Sequence, residues 1–354
     1  MTREQNRLTL EEIQELPKVE LHCHLEGALH LPTLWKYLQR NEPGRYASFE
    51  QFKAAATVEK GTAPGFKAFL AKFDALRFHY GSMENLRSIL DETAQSLCDL
   101  NFREIRFSPV FFARRLLKGD AAFKTEVPQS LVQETAQMVI ETMRETTHLF
   151  AGEPPEFILT CSRDFGYSVN KPALDLLHHS VGKLFKGLDL AGDESCDASE
   201  FIAPFREWRD AGKTITIHAG EDPNAGGPRN IIEALDVFGA HRIGHGVRAI
   251  EDPALVARLA REHIPLEMCP TSNVQTGAVK NAASHPLKKL FDAGVCVTIN
   301  TDDPTICGTT MSDEYLFASQ LGLSADDLKR CTLNALNASV FDEEVKLTMV
   351  RAIH

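Results

Sequence analysis

The segment SEFIAPFREWRDAGKTITIHAGE, residues 199–221, contains one complete helix–strand unit of the predicted fold. Its first part, Ser199–Ala211, has the apolar spacing of a short amphipathic helix. Gly212 follows, and glycine readily adopts the left-handed conformation in which many helices end. The run Thr214–His218 then has the composition of a strand, and polar residues come directly after it.

The same pattern recurs on both sides of this segment and predicts eight strands. The predicted strands are Val19–His22, Glu104–Val110, Phe157–Cys161, Gly187–Leu190, Thr214–His218, Arg242–His245, Pro265–Cys269 and Val295–Asn300. Helical patterns lie between them, over Met83–Leu100, Ser130–Leu149, Ser199–Ala211, Asn230–Phe238, Pro253–Glu262 and Pro286–Ala293. Gly239 and Gly294, like Gly212, stand just before a predicted strand.

This alternation predicts the class of fold. Most of the predicted strands are apolar on both faces, as the strands of a buried parallel sheet are. Eight strands that alternate with helices predict an α/β fold, a (β/α)8 TIM barrel that forms a single domain over residues 1–354. A doubly wound open sheet is the alternative that the same pattern leaves open.

One long segment exceeds the minimal repeat. About fifty residues separate the first predicted strand from the helix at Met83, far more than a normal loop contains. Apolar residues recur there at spacings of three and four, at Phe66, Phe69, Leu70, Phe73 and Leu76. In a barrel, an insertion after the first strand lies at the carboxyl-terminal mouth. Residues of about 31–82 are therefore predicted to form a helical lid over a pocket, with simple packing on the rim as the alternative.

Composition narrows the class of protein. The chain has 354 residues, of which 43% are hydrophobic and 25% charged, and its net charge of −11 argues against nucleic acid or an anionic membrane as partner. Its eight cysteines include no C-x-x-C pair, the N-terminus has no apolar signal segment, and no apolar run is long enough to span a membrane. These features predict a cytoplasmic enzyme that acts on a small molecule, with its oligomeric state left open.

Polar residues collect at the predicted strand ends. His22 and His24 are alternate residues of one strand, so their side chains share a face and could bind one metal ion. The fifth strand ends at His218 and the eighth is followed by Asp302. In isolation each residue has a structural alternative, such as a buried histidine or a capping carboxylate. Three imidazoles and a carboxylate meeting at one barrel mouth suit zinc with an open position for water.

Three further polar residues lie at the same predicted mouth. Glu221 stands three residues after His218 and could move protons, while His245 and Asp303 are available as orienting or charge-bearing groups. Two-metal barrels of this general type use a lysine at the end of strand four. Here that strand ends in Asp189-Leu190-Ala191-Gly192, which favours one zinc per chain.

The chain resembles the adenosine deaminase family of metal-dependent barrels. The motifs that carry the resemblance are LPKVELHCHLEGAL (16–29), DLAGDE (189–194), TIHAGE (216–221), RIGHG (242–246), EMCPTSNVQTGAV (267–279) and VTINTDDP (297–304). The resemblance implies that zinc is bound by His22, His24, His218 and Asp302. It implies that Glu221 donates a proton to purine N1 and that His245 orients and deprotonates the zinc water. It also implies substrate contacts from His24, Glu26, the backbone amide of Gly192, and Asp303 at purine N7.

The resemblance implies hydrolytic deamination of adenosine, or of a 5′-modified adenosine nucleoside, to inosine and ammonia. One departure concerns the sugar, because Glu26 stands in HLEG where the family's adenosine enzymes usually carry aspartate. Adenine deaminases commonly have HLEG, so conversion of adenine to hypoxanthine is the alternative. A barrel hydrolase of esters, lactones or amides, and a binding protein without catalysis, are further alternatives. Burial of Glu221 is expected to raise its pKa and keep it protonated.

Overall fold

The computed structural model describes residues 8–59, 61–100, 102–117, 126–150 and 153–353. Within these ranges one sheet contains seven strands. They are β1 (Glu104–Phe107), β2 (Glu156–Ser162), β3 (Phe185–Ala191), β4 (Thr214–Ala219), β5 (Arg242–His245), β6 (Pro265–Met268) and β7 (Cys296–Ile299). Their order in the sheet follows the sequence, and every neighbouring pair is parallel.

Helices connect the strands and precede the first one. The described helices are α1 (Leu10–Glu15), α2 (Leu31–Asn41), α3 (Phe49–Ala56), α4 (Phe66–Leu70), α5 (Phe73–Leu76), α6 (Met83–Ser96), α7 (Pro109–Arg115), α8 (Gln129–Phe150), α9 (Gly166–Leu174), α10 (Ile202–Asp210), α11 (Pro228–Asp236), α12 (Pro253–Arg261), α13 (Pro270–Gln275), α14 (Leu287–Asp292), α15 (Pro304–Cys307), α16 (Met311–Gln320), α17 (Ala325–Ala338) and α18 (Glu343–Ile353). This is an α/β fold with a curved parallel sheet, as the alternating pattern predicts.

The prediction of a first strand over Val19–His22 is wrong. Residues 20–24 form isolated parallel bridges instead, to Arg103 and Arg106 on one side and to Asp302 on the other. Two of their backbone N–H groups donate to side chains, Leu21 to Asn300 and His22 to Glu20. Because these bonds replace ladder bonds, the segment 20–24, called the bridging segment below, is extended without being a regular strand.

Several predicted boundaries also shift for local reasons. β1 ends at Phe107, short of the predicted Val110, because Ser108 caps α7 and Pro109 begins it. The predicted helix from Met83 ends at Ser96 and not at Leu100. The glycines behave as expected: Gly212, Gly239 and Gly294 all have positive φ, at 80°, 68° and 85°.

The insertion of residues 31–82 contains α2, α3, α4 and α5. The apolar run predicted as one helix is divided between α4 and α5, with Ala71 and Lys72 between them. Phe66 and Phe69 are buried. The insertion is helical, and its movement as a lid stays a prediction. No helix in the described part of the chain has the length and apolar character needed to cross a membrane.

Candidate active site

The four predicted metal ligands converge at the carboxyl-terminal end of the sheet. His22 and His24 come from the bridging segment, His218 from the end of β4, and Asp302 from the turn after β7. One ligand atom of each residue lies within 4.8 Å of the other three, and all four residues are buried. Nε2 of His24 is 3.1 Å from Nε2 of His218, and Nε2 of His22 is 3.2 Å from Oδ1 of Asp302.

Two residues here have a strained backbone. Asp302 has a φ of 64° and His245, the last residue of β5, has a φ of 59°. Non-glycine residues rarely occupy this left-handed region, which is often found where a side chain must be aimed at a functional site. Among the described residues the one other example is His263, in the loop after α12. The strain is therefore concentrated at this end of the sheet.

Hydrogen bonds fix the tautomers of two imidazoles. Nδ1 of His22 lies 2.9 Å from Glu267 Oε2, and Nδ1 of His218 lies 3.0 Å from Asp189 Oδ1. An ionised carboxylate can only accept, so both Nδ1 atoms carry hydrogen and both Nε2 atoms present lone pairs to the cluster. Nε2 of His22 is buried without a hydrogen-bond partner. This donor set fits a metal ion that takes nitrogen and oxygen ligands.

Burial and neighbouring charges shift the pKa values of three residues of the cluster towards the forms that bind a metal ion. Desolvation, followed by neighbouring positive charge, lowers the pKa of His24 and His218 well below its usual value. Burial opposes ionisation of Asp302, but the neighbouring imidazoles of His245 and His22 hold its pKa well below the usual range. Neutral imidazoles and an ionised carboxylate are the forms that bind metal ions.

Glu221 lies beside this cluster in the loop after β4. It is 6% exposed, and its Oε2 is 3.3 Å from Nε2 of His245. Burial, followed by the negative charge of Asp302, raises the pKa of Glu221 well above its usual value. This shift favours the protonated form of the carboxyl group, which can donate a proton.

A cavity of about 360 Å³ opens onto these groups, a volume suited to a small organic molecule. Its lining includes the polar residues His24, Glu221, His245 and Asp303. It also includes aromatic residues of the insertion and residues at the ends of β2 and β3, among them Phe66, Phe69, Phe73, Ser162 and Gly192. The insertion thus contributes apolar surface to the same cavity that the polar strand ends enclose.

Two more carboxyl groups of the cavity have unsatisfied oxygens. Oε1 of Glu26 accepts from the backbone N–H of Ser108 at 2.6 Å, whereas its Oε2 is buried without a partner. Burial raises the pKa of Glu26 to about 7. Oδ1 of Asp303 is also buried without a partner, and burial and the charge of Asp302 raise the pKa of Asp303 well above its usual value.

Two glycines leave room for this arrangement. A Cβ atom at Gly27 would lie 1.8 Å from Oδ1 of Asp303, so a side chain there would displace that carboxyl group. Gly192 has a φ of 87°, and a Cβ atom there would lie 2.0 Å from Oδ1 of Asp164. Glycine at both positions lets the backbone approach the cavity closely.

Comparison with known proteins gives the family. Residues 17–354 match the sequence profile of the family described as adenosine deaminase.

The chain belongs to the adenosine deaminase family.

Relatives within the family match the chain over almost its whole length. The chain is 34% identical to the adenosine deaminase of Klebsiella pneumoniae (strain 342), with 96% of this chain and 98% of that protein covered. It is 35% identical to the adenosine deaminase of Serratia proteamaculans (strain 568), over 94% and 97%. Membership confirms the predicted class of enzyme, a hydrolytic deaminase acting on C–N bonds in a metal-dependent family.

Solved structures share the fold. An adenine deaminase from Arthrobacter aurescens has a TM-score of 0.81 at 24% identity, covering 96% of this chain and 98% of that one. The N6-methyl-AMP deaminase from Arabidopsis thaliana has a TM-score of 0.75 at 24% identity, covering 98% of each chain. At these identities the similarity concerns the architecture.

The structure brings all nine predicted site residues together at one place. Eight of the nine line the cavity: His24, Glu26, Gly192, His218, Glu221, His245, Asp302 and Asp303. The ninth, His22, lies in the wall beneath them. A second possible ligand group contains His245, Cys269 and Asp302. Burial raises the pKa of the Cys269 thiol well above its usual value, which disfavours the thiolate that a metal would need.

Sequence reasoning missed the charged residues under the site. Glu267 on β6 contacts not only His22 but also Arg106 on β1, at 2.8 Å, and Arg242 on β5, at 2.8 Å. Arg106 in turn lies 3.5 Å from Asp189 on β3, the partner of His218. Each of these residues is at most 1% exposed. Although burial opposes it, the two arginines hold the pKa of Glu267 well below the usual range.

Two polar side chains in series, His285 and Asn273, support His245. The backbone N–H of Leu287 donates to Nδ1 of His285 at 3.1 Å, so the hydrogen of neutral His285 is on Nε2. That Nε2 is 3.3 Å from Oδ1 of Asn273, whose Nδ2 is 3.1 Å from Nδ1 of His245. Because His285 donates to Oδ1 of Asn273, the Asn273 amide group donates to Nδ1 of His245. The hydrogen of neutral His245 then lies on Nε2, facing Glu221.

Proposed function

We propose that this chain is a zinc-dependent deaminase that hydrolyses adenosine, or a 5′-modified adenosine nucleoside, to the corresponding inosine and ammonia. The observation that carries the proposal is the buried carboxyl group of Glu221, which lines a cavity beside the four buried residues that could hold a metal ion. The relatives named adenosine deaminase at 34% and 35% identity support the nucleoside as substrate.

One zinc ion is proposed for each chain, held by His22, His24, His218 and Asp302. Bound zinc lowers the pKa of a water ligand towards about 7 and so makes hydroxide available at neutral pH. Three imidazoles and one carboxylate suit zinc in number and type. A related amidohydrolase from Burkholderia was solved with bound zinc, and its likeness in fold agrees with this choice of metal.

The purine ring is proposed to be recognised by donors on the protein. N1 and N7 of adenine both carry lone pairs, so they require hydrogen-bond donors. The raised pKa values of Glu221 and Asp303 favour their protonated forms, which can donate, and we assign them to N1 and N7 respectively. Protonation at N1 by Glu221 makes C6 more electrophilic. The backbone N–H of Gly192 is assigned to the ring, and His24 also borders the bound substrate.

His245 is proposed to orient the attacking water. Its Nε2 hydrogen, set by Asn273, faces the site and can donate to a water oxygen. The resemblance also implies that His245 removes the water proton. For that step the hydrogen must leave Nε2 for Nδ1, and Asn273 must turn its amide to accept it. The hydrogen-bond chain therefore supports the orienting role more directly than the role as base.

Glu26 is proposed to contact the ribose. Glu26 lines the cavity and its Oε2 has no hydrogen-bond partner, and a pKa of about 7 lets the carboxyl group accept from or donate to a sugar hydroxyl. The aromatic side of the cavity, from the insertion, gives the sugar an apolar cover, and we propose that the insertion moves as a lid. The alternative is adenine as substrate, in which Glu26 occupies the sugar's space.

The bridging segment is proposed to take the place of the first of the eight predicted strands and so to complete a (β/α)8 barrel in one domain. Its bridges to Arg103 before β1, to Arg106 on β1 and to Asp302 after β7 support this assignment. We also propose a cytoplasmic location, because all eight cysteines are free thiols, as is usual in a reducing compartment.

Parallel assays of adenosine and adenine with zinc-replete protein test the proposal, with the ultraviolet absorbance of the aminopurine as readout. We expect faster turnover of adenosine. Faster turnover of adenine would favour the alternative, an adenine deaminase. If adenosine, adenine and 5′-modified adenosines all remained unchanged, the purine function would be excluded. Glu221→Gln should keep its zinc and lose at least about 10²-fold in kcat, because it cannot donate the same proton.

A further inference from the structure

The loop that carries Glu221 is held by a carboxylate to which none of the roles above is assigned. Glu194 lies three residues after β3 and is 8% exposed. Its side chain accepts from three consecutive backbone N–H groups, those of Gly220, Glu221 and Asp222, at 2.8, 2.6 and 2.9 Å. Nδ2 of Asn230 donates a fourth hydrogen bond at 2.9 Å.

The conformation of Gly220 makes this contact possible. Its φ of 75° is left-handed, and a residue in this region lets successive N–H groups converge on one anion. A Cβ atom at Gly220 would also lie 2.7 Å from Ile231. On the other side of the loop, the guanidinium of Arg248 donates to the carbonyl oxygen of Asp222 at 2.6 Å. The backbone is thus fixed from both sides, while the side chain of Glu221 reaches the cavity.

We propose that Glu194 is a positioning residue for deamination, which fixes the backbone of residues 220–222 and so holds the carboxyl group of Glu221 against the purine. The inference rests on the proposed function, because it takes Glu221 as the proton donor. The charge of Glu194 acts in the same direction. After burial and Asp302, it is the next cause that raises the pKa of Glu221.

Glutamine at position 194 has the same shape but cannot make the same contacts. Each carboxylate oxygen of Glu194 accepts two hydrogen bonds: Oε1 from Glu221 and Asp222, Oε2 from Gly220 and Asn230. The amide NH2 of glutamine would face two of these donors and could accept from neither. Glu194→Gln should therefore loosen the loop with little change in volume.

The matched control is Glu233→Gln. Glu233 lies on α11 and borders the same small cavity behind the loop as Glu194, but its side chain is exposed. We expect Glu194→Gln to lower kcat for adenosine by about 10²-fold, the loss typical of a small misplacement of a reacting group. Zinc content should stay at one per chain. Amide hydrogen exchange of a peptide that covers residues 219–223 should be faster in Glu194→Gln and unchanged in Glu233→Gln.

A double variant separates positioning from general damage. If Glu194 acts through Glu221, then Glu194→Gln in the Glu221→Gln background should cause no further loss of kcat. The inference would be overturned if the two substitutions lowered kcat multiplicatively in the double variant. It would also be overturned if Glu194→Gln alone released zinc, or if its kcat stayed within about threefold of the wild-type value. If Glu194→Gln does not fold, Asn230→Ala removes one of the four donors at a half-exposed position, and unchanged exchange and kcat there would overturn it too.

The two proposals fail in different ways. Wild-type protein that deaminates no 6-aminopurine refutes the proposed function, while the exchange comparison still reports whether Glu194 holds the loop. Active wild-type protein with a fully active Glu194→Gln variant refutes the positioning role alone.

Discussion

At the scale of single residues, the site depends on groups that hold the metal ligands. Glu267 contacts the ring of His22 on the side away from the other ligands. Such carboxylate partners orient a ligating imidazole and raise its basicity. The buried arginines on either side of Glu267 keep it ionised, so the hydrogen on Nδ1 of His22 and the lone pair on its Nε2 stay fixed.

Glu267→Gln should weaken metal binding by about 10- to 100-fold, because the amide no longer fixes His22 in the same way. The measurement is zinc affinity by competition with a chromophoric chelator. Glu314→Gln is the matched control, since Glu314 is equally buried but contacts Thr271 and Thr309 and no ligand. Equal affinities in the two variants would contradict the role of Glu267.

His285 should make stability sensitive to acid. Burial lowers its pKa from 6.5 to about 3. Between these values the unfolded chain binds a proton that the folded chain does not. The free energy of unfolding is therefore unaffected by the titration of this histidine above about pH 6.5, and it decreases as the pH falls towards 3. His285→Gln should reduce the slope of unfolding free energy against pH by up to about 1.4 kcal/mol per unit in this range.

Urea unfolding at several pH values measures that slope. His178→Gln is the control, because the His178 side chain is 57% exposed. Equal slopes in the His285 variant and the wild type would contradict the prediction.

The site was predictable at this scale because its residues stand at strand ends. His218 and Asp302 follow short apolar runs, and their convergence follows from parallel strands alone. Glu267, Asp189 and Arg106 were missed because they stand within strands, where charges are usually avoided. The available signal was the presence of charged residues inside apolar strand runs, two in EIRF and one in PLEM. Which of these charges pair across the sheet depends on the strand register, which the pattern does not contain.

At the scale of elements, the insertion supplies the apolar side of the cavity. α4 and α5 are short and adjacent, and their phenylalanines face the same space as the polar strand ends. The periodicity of three and four predicted helix correctly, but it did not predict the break between Phe69 and Phe73. That break lets residues on both short helices reach the cavity.

Phe73→Ala should raise KM for adenosine by about tenfold with little change in kcat, because it removes apolar contact shared by the substrate and the transition state. Steady-state kinetics measures both constants. Phe49→Ala is the control: Phe49 is also half-buried and lies in the insertion, but it packs on Trp35 and does not line the cavity. A change confined to kcat would contradict this assignment.

The bridging segment is the one predicted strand that is not a regular strand in the described structure. Val19–His22 has strand composition, and its parallel bridges lie where a first strand was expected. Its backbone N–H groups donate to the side chains of Asn300 and Glu20, and these hydrogen bonds interrupt the ladder. A strand pattern in the sequence does not reveal such side-chain acceptors.

At the scale of the whole molecule, the proposed ligand set joins distant parts of the chain. His22 and His24 bring the bridging segment, His218 brings β4, and Asp302 brings the turn after β7. A metal ion that binds the folded chain alone stabilises it by mass action, by about 4 kcal/mol at a thousandfold excess over Kd.

Removal of the metal should therefore lower the melting temperature, and the shift should depend on the free metal concentration. Differential scanning calorimetry with and without chelator measures it, followed by titration with zinc. His24→Ala, which removes one ligand, should respond much less to both treatments. A melting temperature that is independent of chelator in the wild-type protein would contradict a shared metal site.

The spread of the ligands along the chain also sets an order of events during protein synthesis. The ribosome makes His22 and His24 early, and Asp302 emerges about 280 residues later, which at 5–20 residues per second is a delay of tens of seconds. During that delay the proposed ligand set is incomplete, because Asp302 has not yet been made. We therefore expect the ion to be loaded late, after translation has passed β7.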